Sequence, residues 1–162
     1  MDVPSTRRGV LKSAAALLAA WTGGSVFAAK SEAQTTGNLE KKAYPAAPPA
    51  PGGAQHLLFS PAVSYGNLLF LSGVGAHFKG TIEEHTQHVL DELKKTLEGA
   101  GSSFHKVLKV SVFLNDIKDY DAMNKVYGGA DWGPMPPVRT TVSPAGGVPG
   151  GSLVEIDVIA YI

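Results

Sequence analysis

Two apolar segments near the C-terminus constrain the fold of this chain most strongly. Residues 136–142 (PPVRTTV) and 153–159 (LVEIDVI) are rich in β-branched side chains, and a loop of glycine and proline connects them. Such segments are typical of β-strands, and the loop predicts that they form a hairpin. The first segment carries Arg139 and the second carries Glu155 and Asp157. Because charges are costly to bury in apolar strands, we expect these side chains to be paired or to serve a function.

Arg139 has two interpretations. It can form an ion pair with Glu155 or Asp157 across the hairpin, or its guanidinium can hold a substrate carboxylate through two hydrogen bonds. In the second case Glu155 or Asp157 would act as a general base on water, giving a small hydrolytic site. Strand register cannot be read from sequence to one residue, so both interpretations and both acids stay open.

The last strand is apolar on both faces. One face would carry Val154, Ile156, Val158 and Ala160, and the other Leu153, Glu155, Asp157, Ile159 and Tyr161. The two helices predicted below can cover only one face of a sheet. The other face would be an exposed apolar patch on a monomer, which predicts an oligomer with Glu155 and Asp157 near a subunit interface.

The preceding segments predict the remaining elements. Strands are expected at residues 57–60, 68–73 and 107–114, with the first two joined around a turn at residues 64–67. Thr81 and Glu84 form a capping box that begins a helix with apolar side chains at 3.6-residue spacing, and Asn115 and Asp116 cap a second helix. Two strands, a helix, a strand, a helix and two strands predict an α+β or α/β sandwich with both helices on one sheet face.

The N-terminal residues predict an export signal. Arg7 and Arg8 precede an apolar run rich in alanine, and small residues follow as far as Ala28. This pattern, in residues 1–28, resembles a twin-arginine signal peptide, an address that the twin-arginine export machinery reads. We therefore expect cleavage near Ala28, or alternatively after Ala33, and a periplasmic protein. The apolar run is too short and too weakly apolar to be a stable membrane anchor.

Residues 29–56 predict a disordered linker before a single domain at residues 57–162. The linker is rich in proline, alanine and glycine, with four prolines in seven residues at 45–51. Such a composition favours an extended, polyproline-like chain. The domain is long enough for one hydrophobic core.

Composition excludes several classes of protein. The chain has no cysteine, which removes disulfides, thiolate metal ligands and a cysteine nucleophile. Residues 57–162 carry eight basic and eleven acidic side chains, so we expect no nucleic-acid partner. His77, His85 and His88 match no metal-ligand motif. We therefore expect no metal, with His85 and His88 facing solvent from their helix.

Several ordered segments of residues 57–162 resemble the reactive-intermediate deaminase family, also called RidA-like or YjgF-like. The segments are 66–73, 97–103, 109–116, 123–127, 137–142 and 153–160. The resemblance implies a chorismate-mutase-like α+β fold with a mixed sheet, and a homotrimer with its sites at subunit interfaces. It also implies hydrolytic deamination of 2-imino or enamine acids to 2-oxo acids and ammonia, without a cofactor.

The resemblance also implies roles for individual residues. By position, Arg139 would bind the substrate carboxylate and Glu155, in preference to Asp157, would activate water. The side chains or backbone of Ser72, Gly73, Asn124 and Thr141 would line the pocket.

The sequence departs from the family pattern at three places. Phe59 stands where a tyrosine is usual, Val74 stands where a glutamine is common, and the loop at residues 75–80 is short. Fewer polar groups would then line the pocket. These departures support an alternative function, a non-catalytic small-carboxylate binder or holdase-like protein on the same trimeric fold.

Overall fold

The computed structural model describes residues 39–44 and 58–162. The strands of this part are β1 (Lys41–Tyr44), β2 (Ala62–Tyr65), β3 (Leu68–Gly75), β4 (Val107–Leu114), β5 (Val138–Val142) and β6 (Val154–Tyr161). They form one sheet in the order β1-β2-β3-β6-β4-β5. Neighbouring strands are antiparallel except for β4 and β5. With helices α1 (Ile82–Gly99) and α2 (Tyr120–Tyr127), this confirms the predicted α+β fold with a mixed sheet.

The predicted closing hairpin is wrong. β6 inserts between β3 and β4 and pairs antiparallel with both, whereas β5 pairs in parallel with β4 at the sheet edge. A parallel pair needs a crossover connection, which the chain from β4 through α2 to β5 supplies. The loop after β5 then carries the chain past β4. Two neighbouring β-branched segments show that strands exist but not which strands pair.

The first strand of the β2–β3 hairpin lies later in the chain than predicted. Residues 58–60 precede the strand, and β2 and β3 meet at a turn where Gly66 has a φ of 62°. Such a positive φ favours glycine, because other residues meet a steric cost there. The turn was predicted correctly, but the strand before it was placed several residues too early.

β1 lies inside the segment predicted to be a disordered linker, so that prediction is wrong for Lys41–Tyr44. Its backbone pairs antiparallel with β2, with Lys42 opposite Ser64. The sequence KKAY has no apolar alternation that would indicate a strand. The predicted signal peptide at residues 1–28 and the linker residues 29–38 and 45–56 lie outside the described residues.

The two helices cover one face of the sheet, as predicted. On that inner face β6 buries Val154, Ile156, Val158 and Ala160 against the apolar side of α1. The outer face exposes large apolar side chains: Tyr65, Leu68, Phe70, Val138, Val142 and Tyr161. Neither α1 nor α2 is long and apolar enough to cross a membrane.

His85 is buried, contrary to the prediction that it faces solvent, with only 1% of its surface exposed. Its Nδ1 accepts a hydrogen bond from the Leu153 N–H at 3.0 Å, and its Nε2 donates to the Phe78 carbonyl at 2.9 Å. An N–H only donates and a carbonyl only accepts, so the ring is neutral with its proton on Nε2. His85 thereby ties α1 to the loop before it and to the residue that precedes β6.

Replacing His85 with alanine should destabilise the fold by about 2–4 kcal/mol, because it leaves two buried backbone groups without partners. Urea unfolding at fixed protein concentration would measure the loss. The matched control is His88→Ala on the same helix, where His88 meets Phe78 edge-on with ring centroids 5.3 Å apart. We expect the control to cost less than about 1 kcal/mol. Equal losses for the two variants would contradict the assigned role of His85.

Candidate functional site

A β-bulge in β3 shapes the surroundings of Glu155. The register between β3 and β6 shifts between Leu71 and Val74, which leaves Ser72 and Gly73 as the irregular positions. The Glu155 carboxylate lies against Gly73, where a Cβ atom would collide with its Oε1. The backbone N–H and the Oγ of Ser72 both donate to the Pro61 carbonyl, at 2.9 and 3.2 Å. The bulge therefore makes the space that the carboxylate occupies.

An open cleft of about 480 Å³ lies beside Glu155. Its lining consists of Phe59, Ser72, Gly73, Gly75, His77, Pro149, Gly150 and Glu155. Four predicted site residues thus meet here, and Phe59 is 68% exposed. His77 was not predicted to be a site residue; its signal in the sequence was its position in the short loop after β3.

The cleft separates the two acids that the residue patterns alone left equal. Asp157 also points to the outer face, but it lies opposite Ser111 and does not line the cleft. Val74 is opposite Ile156 and packs against the core, so it does not line the cleft either. The expectation that Val74 makes the pocket more apolar is therefore wrong for this cleft, and only Phe59 contributes in that way.

Buried polar contacts fix the loop that leads into β6. The Asn115 Oδ1 accepts from the Val148 N–H at 3.1 Å. The Ser152 Oγ accepts from the Ala76 N–H at 2.8 Å and donates to the Val154 carbonyl at 2.6 Å. The Leu153 N–H also donates to the His85 Nδ1. Together these contacts fix the segment of chain just before Glu155.

Arg139 lies in a different group, between β5 and α2. Its guanidinium stands 4.6 Å from the Tyr127 ring centroid and 5.9 Å from that of Tyr120, and its Nη2 donates to the Tyr120 hydroxyl at 3.3 Å. Burial raises the pKa of the Tyr127 hydroxyl, although the Arg139 cation opposes that effect. The neutral ring therefore holds the cation through a cation–π contact.

Of the two interpretations of Arg139, the ion pair with Glu155 or Asp157 does not form within this chain. Within residues 39–44 and 58–162, the close contacts between basic and acidic side chains are Lys95–Glu92, His105–Asp131 and Lys118–Asp116. No carboxylate of this part of the chain neutralises Arg139. Aromatic rings hold the guanidinium instead.

Thr141 and Asn124 belong to the group of Arg139. Thr141 follows Arg139 by two residues and therefore shares its strand face, and the Thr141 Oγ1 is buried without a hydrogen-bond partner among the described residues. Asn124 lies one helical turn from both Tyr120 and Tyr127 on α2. Arg139, Thr141 and Asn124 were predicted to be site residues, whereas Tyr120 and Tyr127 were not.

Within a single chain, Arg139 and Glu155 lie far apart. Glu155 is opposite Phe113 on β4 and points to the outer face, whereas Arg139 is opposite Val110 on the inner face. Their backbones are separated by two strand spacings, about 10 Å, across the sheet and by three residues, about 10 Å, along it. The predicted site residues thus form two groups on opposite faces of the sheet.

The ionisable side chains in the cleft suit proton transfer. Glu155 and His77 are the titratable residues of its described lining. No three His, Asp or Glu side chains in residues 39–44 and 58–162 cluster closely enough to hold a metal ion. A carboxylate and an imidazole are the groups that most often act as general acids and bases.

Comparison with known proteins covers the same part of the chain. A family model described as Endoribonuclease L-PSP matches residues 51–162. The mitochondrial protein mmf2 of Schizosaccharomyces pombe is 43% identical over 110 residues, which cover 63% of this chain and 86% of that protein. The chloroplastic Reactive Intermediate Deaminase A of Arabidopsis thaliana is 31% identical over 112 residues, which cover 64% of this chain and 58% of that protein.

Solved structures agree with the family match. The crystal structure of a protein of the conserved Rid family from Yersinia pestis superimposes with a TM-score of 0.66 at 29% identity. The superposition covers 76% of this chain and 100% of that one. On the matched residues and the shared fold, this chain belongs to the Endoribonuclease L-PSP family, which includes the RidA-like and YjgF-like proteins that its sequence resembles.

Proposed function

We propose that this protein hydrolyses 2-imino or enamine acids to 2-oxo acids and ammonia at the subunit interfaces of a homotrimer. The observation that carries the proposal is the state of Arg139, a cation that two tyrosines hold and that no described carboxylate neutralises. Such a guanidinium is suited to bind the carboxylate of a small substrate. The name of the Arabidopsis relative supports the same reaction class.

The separation of the two groups supports a site shared between subunits. In a closed ring, each interface joins two different surfaces of neighbouring copies. The edge formed by β5 and α2 of one copy would then face the Glu155 cleft of the next. The exposed apolar side chains of the outer sheet face, including Phe70 and Val138, would be covered in the same assembly.

In the proposed reaction, the residues around Arg139 bind the substrate and Glu155 performs the proton transfer. Arg139 of one copy holds the substrate carboxylate, and Thr141 and Asn124 offer polar atoms beside it. Glu155 of the neighbouring copy takes a proton from water as the water oxygen attacks the imine carbon. The resulting amino alcohol then loses ammonia and leaves the 2-oxo acid.

Arg139→Ala should lower kcat/KM by a factor on the order of 100–1000, because a charge-assisted anchor is lost. Glu155→Gln should lower kcat by a factor on the order of 100 or more with a small change in KM, because only the base is removed. Release of ammonia from an imine made in place by an amino-acid oxidase would measure both. Lys118→Ala, at an exposed lysine, is the control and should match the wild type. If the wild type and Arg139→Ala are equally inert while both remain trimeric, the proposal is wrong.

Mixing two inactive variants should restore activity if each site is shared between copies. In trimers reassembled from equal amounts of Arg139→Ala and Glu155→Gln, about a quarter of the interfaces would combine an intact Arg139 with an intact Glu155. We therefore expect up to about a quarter of the wild-type rate per interface. Light scattering would verify the trimer, and separate assays of the two variants would give the background. No recovery in verified mixed trimers would contradict the shared site.

A non-catalytic binder of small carboxylates is the second candidate function. The exposed ring of Phe59 at the cleft favours it, since an apolar group there contributes no proton or hydrogen bond. Saturable binding of a 2-oxo acid without turnover of the imine would support this candidate. A ribonuclease function, which the description of the family names, is disfavoured by the excess of acidic over basic side chains in residues 57–162.

We also propose that the chain is exported to the periplasm through the twin-arginine machinery, on the strength of Arg7, Arg8 and the small residues before Ala28. In a bacterium with this pathway, the full chain should appear in the periplasm with a new N-terminus near residue 29. A double variant, Arg7→Lys with Arg8→Lys, should stay in the cytoplasm at full mass. Mass spectrometry of the two fractions would measure both, and a wild type that stays uncleaved in the cytoplasm would refute the proposal.

A further inference from the structure

We propose that His77 is a second acid–base residue of this site, which gives a proton to the substrate nitrogen while Glu155 takes one from water. The inference rests on the proposed function, because it assigns a residue to that reaction. It arises from the cleft beside Glu155, where His77 is the other titratable side chain of the described lining.

A backbone contact fixes the His77 ring and leaves its Nε2 without a hydrogen-bond partner among residues 39–44 and 58–162. The His77 Nδ1 lies 3.2 Å from the Gly150 carbonyl oxygen. A carbonyl only accepts hydrogen bonds, so Nδ1 carries a proton and is the donor. The Nε2 atom is then the nitrogen that can exchange a proton with a ligand. An imidazole oriented by its other nitrogen is a common arrangement for proton transfer.

Gly150 makes room for the ring, and Gly75 lies on its other side. A Cβ at Gly150, whose φ is 72°, would lie 2.6 Å from the His77 Cε1. With any larger residue at position 150, the carbonyl of that residue could therefore not approach the ring in this way. A Cβ at Gly75 would lie 3.7 Å from the same atom, which is ordinary contact. The ring therefore packs between the end of β3 and the loop that leads into β6.

Gly75 relates the position of His77 to that of Glu155. Gly75 is the strand partner of Glu155, and directly opposed Cβ positions are about 5 Å apart. The ring edge lies 3.7 Å from the Cβ position of Gly75. The near edge of the imidazole is therefore within about 9 Å of the Glu155 Cβ. The Glu155 carboxylate lies against Gly73, and both Gly73 and His77 line the same cleft, so a small substrate in the cleft has both side chains beside it.

The chemistry of imine hydrolysis needs both groups. When the water oxygen bonds to the imine carbon, Glu155 receives a proton from water and protonated His77 gives a proton to nitrogen, forming an amino alcohol. The carbon–nitrogen bond then breaks, the nitrogen takes the proton from Glu155 and leaves as ammonia, and the hydroxyl proton passes to His77. Both side chains return to their starting states, and no further reactant is required.

No other charged side chain of the described lining faces His77. Lys79 follows in the same loop, but it is exposed and does not line the cleft. The remaining lining residues are apolar, hydroxyl or glycine. The pH dependence that we attribute to His77 therefore concerns the pair His77 and Glu155.

His77→Gln tests the inference, because glutamine can still donate to the Gly150 carbonyl but cannot carry a proton to the substrate. We expect kcat to fall by a factor on the order of 100 or more, with KM changed by less than about threefold. The alkaline fall of the kcat profile should disappear, since it reports the loss of the proton from His77. A fall caused by the substrate's own titration would remain in the variant.

His105→Gln is the matched control, since His105 lies outside this cleft and pairs with the exposed Asp131 at 3.0 Å. It should leave the turnover unchanged. His77→Ala adds a second measurement, because free imidazole should restore part of its rate if proton transfer is the lost step. Circular dichroism and light scattering would verify the fold and assembly of each variant.

The outcomes separate this inference from the proposed function. If His77→Gln turns over like the wild type while Arg139→Ala is inactive, His77 is not an acid–base residue and the proposed function stands. If His77→Gln is slow but keeps the alkaline fall, and imidazole does not rescue His77→Ala, His77 only holds the loop and the inference is wrong. An inert wild type refutes both proposals.

Discussion

β6 pairs with both β3 and β4 and thereby joins the two halves of the sheet. As a central strand, β6 satisfies its backbone on both sides and alternates its side chains between two environments. Its inner residues bury the core against α1, and the alternate residues point to the outer face. Glu155 is therefore held by the same ladder that holds Val154 and Ile156. A change in the register of β6 by one residue would turn its core side chains to the outer face and Glu155 to the inner face.

Much of the fold follows from local residue patterns. The capping box is present as predicted, with the Thr81 Oγ1 accepting from the Glu84 N–H at 3.3 Å and the Glu84 carboxylate accepting from the Thr81 N–H at 2.8 Å. The apolar spacing in α1 also identifies its buried face correctly. These features depend on contacts a few residues apart, so the sequence carries their signal directly.

The errors concern contacts between distant parts of the chain. β1 forms because the edge of β2 has backbone groups free to pair. The residues KKAY themselves contain no pattern that indicates this pairing. His85 lies between the apolar positions of α1, yet it is buried because the Leu153 N–H and the Phe78 carbonyl need partners. Arg139 and Glu155 were identified as candidates, but their relation depended on the order of the strands. Only the structure places them on opposite faces.

Aromatic support explains how Arg139 can be held and still be available. An ion pair with Glu155 would have occupied the in-plane N–H groups that a carboxylate ligand needs. A cation–π contact, with the guanidinium carbon 4.6 Å from the Tyr127 ring centroid, attracts the cation without a neutralising charge, and the Tyr120 hydroxyl takes one hydrogen bond from Nη2. Most of the donor edge remains free in the described part of the chain. The two tyrosines thus restrict the orientation of the cation without neutralising its charge, a property that a lysine at this position would not reproduce.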